Sequence, residues 1–271
     1  MDKNDACLDL LRRLHPRNVE RNLESLCQLV AGDDELVEDL LGTVDVPLKK
    51  AKCNESGKSY LLCDYNRDGD SYRSPWSNQF YPLPEDDDGP RPSEKLRELE
   101  IAANESFDIY RDLYYDGEGV SSVYLWDTDD DDFAGVVLFK KENEGGSWDS
   151  IHVVEVTNVS DTQAKYRITS TVILDLGSEH DLSLSGNMTR QLEASLPLDL
   201  EQAPSKSLAH LVNLGQLVEK QEGNIRNLLQ DVYFDKLKDV LLRDLRSVGD
   251  VSEKRVEDEK HADVIRGLQE L

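Results

Sequence analysis

Residues 120–190 read VSSVYLWDTDDDDFAGVVLFKKENEGGSWDSIHVVEVTNVSDTQAKYRITSTVILDLGSEHDLSLSGNMTR. The stretch is rich in Val, Ile, Thr, Tyr and Trp, and apolar and polar residues alternate along most of it, the pattern of strands with a buried face. Polar or Gly-containing breaks fall at 128–132, 142–147, 158–163 and 177–180. Five strands are therefore predicted at 120–127, 133–141, 148–157, 164–176 and 181–190. Loops this short between successive strands force antiparallel neighbours, so the expected sheet is a meander.

Helical periodicity lies on both sides of this block. Upstream, Ser93 follows Pro92 and precedes Glu94, a helix-start signal. Leu96, Leu99, Ala103, Phe107, Tyr110 and Tyr114 recur at spacings of three and four, predicting one connecting helix over 93–117. Downstream, Leu196–Ser205 carries two prolines and reads as a crossing linker. A long helix is predicted from about Lys206 to Leu245, with Leu208, Leu211, Leu214, Val218, Ile225, Leu228, Leu229, Val232 and Val240 on its buried side. Gly249 and Asp250 then break it.

The ends of the chain read differently. Residues 1–50 give three short amphipathic patterns: Ala6, Leu10, Leu11, Leu14; then Val19, Leu23, Leu26, Leu29, Val30; then Leu36, Val37, Leu40, Leu41. Three short helices with tight breaks predict a small antiparallel stalk. Residues 51–92 are turn-rich in Gly and Pro, with one short strand expected at Tyr60–Asp64. The predicted fold class is α+β. Its parts are a helical stalk (1–50), a turn-rich region (51–92), a connecting helix (93–117), an antiparallel sheet (118–192), a linker with the long helix (193–250) and a C-terminal segment (251–271).

Composition narrows the function. The 271 residues hold 31 Lys and Arg against 56 Asp and Glu, a net charge of −25. That repels nucleic acid and anionic membranes. No run of 18 apolar residues occurs, so no membrane-spanning helix is expected. The N-terminus lacks the apolar core of a signal peptide, which points to the cytosol or the nucleus. Cys7, Cys27, Cys53 and Cys63 form no CxxC pair and read as free thiols.

No catalytic motif stands out: there is no P-loop, GxGxxG, GxSxG or HExxH, and the five histidines are scattered. The chain is expected not to be an enzyme and to need no cofactor. Asp64-Tyr-Asn66-Arg-Asp68-Gly69-Asp70 matches the first half of a calcium-binding EF-hand loop, but Pro75 stands where the bidentate Glu is required. A tight polar turn is expected there instead, with no metal. Asp129–Asp132 reads as a solvated acidic loop.

Charge is unevenly spread. Residues 206–255 hold nine basic and eight acidic side chains, making the long helix a near-neutral island on an acidic chain. An acidic partner is compatible with that face, and so is a solvated helix held by i,i+4 pairs such as Glu222–Arg226. In the tail, Val264, Ile265, Leu268 and Leu271 share one helical face. A short amphipathic segment of this kind suits docking in a partner's groove, and equally packing back on its own domain.

Tyr60–Asn78 (YLLCDYNRDGDSYRSPWSN) closely resembles the signature of the F-actin capping protein β subunit. Further matches are Leu10–Leu14 (LLRRL), Tyr110–Leu113 (YRDL), Val120–Asp127 (VSSVYLWD), Phe133–Val136 (FAGV), Trp148–Val156 (WDSIHVVEV) and Leu245–Ser247 (LRS), in order along the whole chain. The resemblance implies an obligate heterodimer with a similarly folded α subunit, the two sheets merging beneath antiparallel long helices. It implies a cytoplasmic, cytoskeletal protein of cortical actin structures. Its heterodimer would bind the barbed end of actin filaments without calcium and block subunit addition and loss.

Particular residues inherit roles from that resemblance. Arg226 matches a position of the family's basic actin-binding patch, where Asn224 replaces a family Lys. Val264 and Leu268 stand at the two key leucines of the family's actin-docking C-terminal "tentacle", with Ile265 and Leu271 on the same face. Asp45 and Asp64 are candidate contacts for basic CARMIL-type regulatory motifs, and myotrophin is a further implied regulator. An alternative role is the same heterodimer capping an actin-related filament in dynactin.

Overall fold

A computed structural model describes residues 3–14, 18–84, 89–115, 118–128, 132–144, 146–176, 184–200, 203 and 205–231. The chain divides into two compact units, Met1–Glu222 and Gly223–Leu271. The described part of the second unit is 223–231, which holds the last turns of the last described helix.

The first unit opens with three helices, α1 (Lys3–Arg13), α2 (Val19–Leu29) and α3 (Asp34–Thr43). Leu23, Leu26, Leu36 and Leu40 form their core, with Cys7, Leu8 and Leu11 of α1 packed against it. The predicted α1 face is thus rotated: Leu10 and Leu14 are exposed, and Cys7 and Leu8 take the inward positions. Asp33 caps α3 by accepting from the Leu36 amide.

The region expected to be mostly turns carries five short strands. β1 (Lys49–Lys52) pairs with β2 (Ser59–Leu62), and β3 (Arg67–Asp68), β4 (Ser71–Arg73) and β5 (Phe80–Tyr81) make a second small sheet. Strands of two to four residues are too short to print a period-two pattern, which is why the sequence shows only the second of them.

α4 (Glu94–Tyr114) follows, and then the five-stranded sheet: β6 (Val120–Asp127), β7 (Phe133–Asn143), β8 (Gly146–Ser160), β9 (Gln163–Leu176) and β10 (Leu184–Pro197). All neighbours are antiparallel and the order is β10-β9-β8-β7-β6, the predicted meander. β10 runs seven residues past its predicted end at 190, into what reads as linker. α5 (Ala209–Leu229) completes the described chain. Its predicted continuation to Leu245 lies outside the described residues, as do Val232 and Val240.

Both faces of the sheet are covered. α4 and the first turns of α5 lie on one face, with Leu99, Phe107, Val137, Phe139, Tyr166 and Leu214 among the buried side chains. The two helices run in the same direction: Ser205 donates to Glu98 at one end and Tyr114 to Glu219 at the other. Aromatic side chains lie among them, Phe139 touching Phe107, Tyr110, Tyr115 and His152. On the opposite face, Leu48 and Leu61 pack on Tyr124, Val136, Leu138, Ile151 and Ile173. Gly135 permits the β6–β7 approach: a Cβ there would fall on Leu125 Cδ2 and lie 2.9 Å from the Tyr124 carbonyl oxygen.

Candidate protein-binding sites

α5 is held on the sheet by polar as well as apolar side chains. Asn213 donates to the Tyr166 hydroxyl (3.1 Å) and the Pro197 carbonyl (3.0 Å), and His210 meets the same hydroxyl at 2.7 Å. Gln221 donates to the Arg190 carbonyl. Glu222 joins His152 at 2.8 Å and accepts from Tyr115 at 3.1 Å. Buried polar groups require such partners, and together these fix the roll of the helix. Burial pushes the His210 imidazole down to about 4, with the Lys206 charge adding, so the ring stays neutral near pH 7.

This arrangement corrects the surface-pair reading of Glu222. The carboxylate faces the sheet and is not available for an exposed i,i+4 pair with Arg226. In the second unit, Ile225 and Leu229 are buried, while Asn224 and Arg226 are exposed. Arg226 lies in the last turn of α5 and makes no ion pair among the described residues. Val264, Ile265, Leu268 and Leu271 lie outside the described residues.

A second candidate surface sits at the junction of stalk and sheet. Asp64 opens a single 3-10 turn, Asp64–Asn66. The Asp45 carboxyl feels the charge of Asp64. Burial raises the Asp45 carboxyl above its usual range, the Thr171 hydroxyl opposes that, and Asp64 adds to it. Beside them the exposed Tyr65 ring stacks on Trp126 at 5.3 Å, with 8° between the planes. Asp64 already has the Arg67 guanidinium at 3.9 Å, and carboxylates beside an exposed aromatic ring suit cations of that kind.

The calcium-like loop has a different job. Asn66 is buried; its Oδ1 accepts from the Cys63 amide, and its Nδ2 donates to the Leu61 and Arg73 carbonyls. It braces the β2–β4 connection and points no oxygen outward. Arg73 then enters the core. It makes two parallel bonds of 2.8 Å to Glu100 of α4, whose carboxylate also takes Arg97 and the Leu125 amide. This buried knot ties the turn-rich region to α4 and β6. Sequence reading missed it because Arg73 and Glu100 lie 27 residues apart and Glu100 looks like a surface residue. A second buried carboxylate is that of Asp149 in β8. It accepts from Lys140 at 2.9 Å and from the Leu48 amide at 2.9 Å.

Residues 4–241 match the sequence pattern of the family described as F-actin capping protein, beta subunit. The chain belongs to that family. F-actin-capping protein subunits beta from several fungi are similar over their full length. The Debaryomyces hansenii protein is 56% identical, with 100% of this chain and 98% of that protein covered. The Yarrowia lipolytica protein is 53% identical, with 99% of each covered. That from Emericella nidulans is 52% identical, with 98% of this chain and 97% of that protein covered. Among solved structures, a homodimeric actin capping protein alpha subunit from Plasmodium berghei has a TM-score of 0.52 at 16% identity, covering 92% of this chain and 98% of that one. At that identity the likeness is one of fold. The α+β architecture expected of a β subunit of this family, similar in fold to an α subunit, is the one observed.

Proposed function

We propose that this chain is the β subunit of a heterodimer that binds actin filament barbed ends and blocks subunit addition and loss there, without calcium and without severing. The observation that carries the reading is full-length similarity to capping protein β subunits, joined to a fold shared with a capping protein α subunit. The described sheet ends in β10, which has a strand on one side only. An unpaired edge 14 residues long is the natural seam for the α subunit's sheet, since such edges otherwise invite aggregation.

Two elements contact actin in this reading. Arg226 steers the first approach of an acidic partner, aided by basic residues of the α subunit. The Val264, Ile265, Leu268 and Leu271 face then docks in an apolar groove. Asp45 and Asp64, with the Tyr65 ring beside them, receive basic CARMIL-type motifs, and myotrophin competes for the actin-binding face. The protein works in the cytoplasm at cortical actin. Neither the fold nor the names of the relatives favour a dynactin role over filament capping. Co-expression with an α subunit, followed by elongation from actin seeds, tests the proposal.

A further inference from the structure

α4 buries one side and leaves the other bare. Inward go Leu96, Leu99, Glu100, Ala103, Asn104 and Phe107. Outward stand Ile101 (44% exposed), Ile109 (63%), Leu113 (73%) and Tyr114 (47%). Ile109 and Leu113 stand one turn apart on the same side, and the exposed Tyr114 next to Leu113 has its ring against Tyr110 at 4.4 Å. Isolated exposed apolar residues are ordinary; a connected group on a regular helix is a binding ridge in form.

The rim selects the partner. Glu105, Asp108 and Asp112 flank Ile109 and Leu113 along α4, and Glu219 of α5 accepts from Tyr114; the basic residues nearby in sequence are Arg111 and Lys220. Arg111 is occupied: it bridges Asp108 and Asp112 at 2.8 Å each and donates to the Gly119 carbonyl. The ridge therefore presents apolar knobs inside a net acidic border. Helical spacing along the ridge matches the knobs of another helix laid beside it. The acidic border disfavours an anionic membrane or a phosphate-bearing ligand.

We propose that the outer face of α4 is a docking ridge for a basic amphipathic helix of a partner protein. The partner presents Leu, Ile or Met at i, i+4 and i+7, flanked by Lys or Arg. Ile109 and Leu113 anchor it, and Glu105, Asp108 and Asp112 set its charge preference. The ridge shares no residue with the other candidate sites, Arg226, the C-terminal segment and the Asp45–Asp64 pair.

The test uses the intact heterodimer and a fluorescent synthetic peptide of about 18 residues with leucines at that spacing and lysines alongside. A peptide of the same composition in scrambled order and one with Glu for Lys serve as comparisons. Binding is read by anisotropy, and folding of each variant by its thermal melt. The patterned peptide is expected to bind, and the Ile109→Ser/Leu113→Ser pair to weaken it by about tenfold or more. Asp108→Asn/Asp112→Asn should weaken it less and reduce its salt dependence. Val159→Ser, at an exposed apolar residue elsewhere, should change nothing. No binding, equal binding of the scrambled peptide, preference for the Glu peptide, or indifference to the double Ser change in a protein with an unaltered melt would each overturn the proposal.

Discussion

His152 of β8 and Glu222 of α5 meet at 2.8 Å with neither side chain reaching solvent. The other ring nitrogen of His152 bonds Ser170 at 2.8 Å. One buried contact therefore joins α5 to two adjacent strands, β8 and β9. It lies one helical turn before Arg226 in sequence, so the same helix carries the anchor and the proposed actin contact.

The pair makes stability depend on pH. Burial alone raises the Glu222 carboxyl, but the His152 ring, with the Ser150 and Tyr115 hydroxyls, outweighs it and holds the carboxyl below its ordinary value. A depressed folded value contributes stability that is present above the ordinary carboxyl range and lost as pH falls through the folded one. Glu222→Gln should cost about 2 kcal/mol at neutral pH. Denaturant titrations should show that deficit shrinking below about pH 4. A deficit independent of pH would mean that Glu222 acts by shape alone.

Arg73→Lys tests the knot beneath the turn-rich region. Lysine keeps the charge but cannot form the paired bonds to Glu100, so the variant should lose about 2 kcal/mol. Capping by the protein that remains folded should be unchanged, because the Arg73 side chain is buried. Normal stability with lost capping would move Tyr60–Asn78 from scaffold to actin contact.

Arg226→Ala should slow association with barbed ends and leave dissociation nearly unaltered. The effect should be largest at low salt and fade as ions screen the approach. Single-filament kinetics at two salt concentrations separates the rates. A loss that persists at high salt would assign Arg226 a direct bond in place of steering.

Removal of 253–271 should weaken capping and leave the heterodimer intact, as judged by co-purification and size-exclusion chromatography. Dissociation of the two subunits would show instead that the segment holds the dimer together.

The sequence made the five-stranded meander readable because each strand is long enough to show its period. It showed α4 for the same reason, since Leu96, Leu99, Ala103 and Phe107 are apolar and inward. It failed where burial is polar. His210, Asn213, Gln221 and Glu222 form much of the inward side of α5, yet as residue types they read as solvated. Their partners Tyr166, Pro197, Arg190 and His152 are separated from them in sequence by 16 to 70 residues, so no local pattern announces them. The Asp45–Asp64 pair came from family resemblance; the Tyr65–Trp126 stack beside it needed the fold, because β6 brings Trp126 to the turn after β2. Arg226 was likewise located by resemblance, and burial along α5 shows why it is exposed: its neighbour Ile225 is the buried one.

The most direct test of the central claim is single-filament fluorescence microscopy of actin growth with the purified heterodimer in calcium-free buffer. Barbed ends are expected to stop both growing and shrinking, with pointed ends unaffected and filaments uncut. Barbed ends that elongate normally at micromolar heterodimer, or that stop only when calcium is added, would contradict the claim.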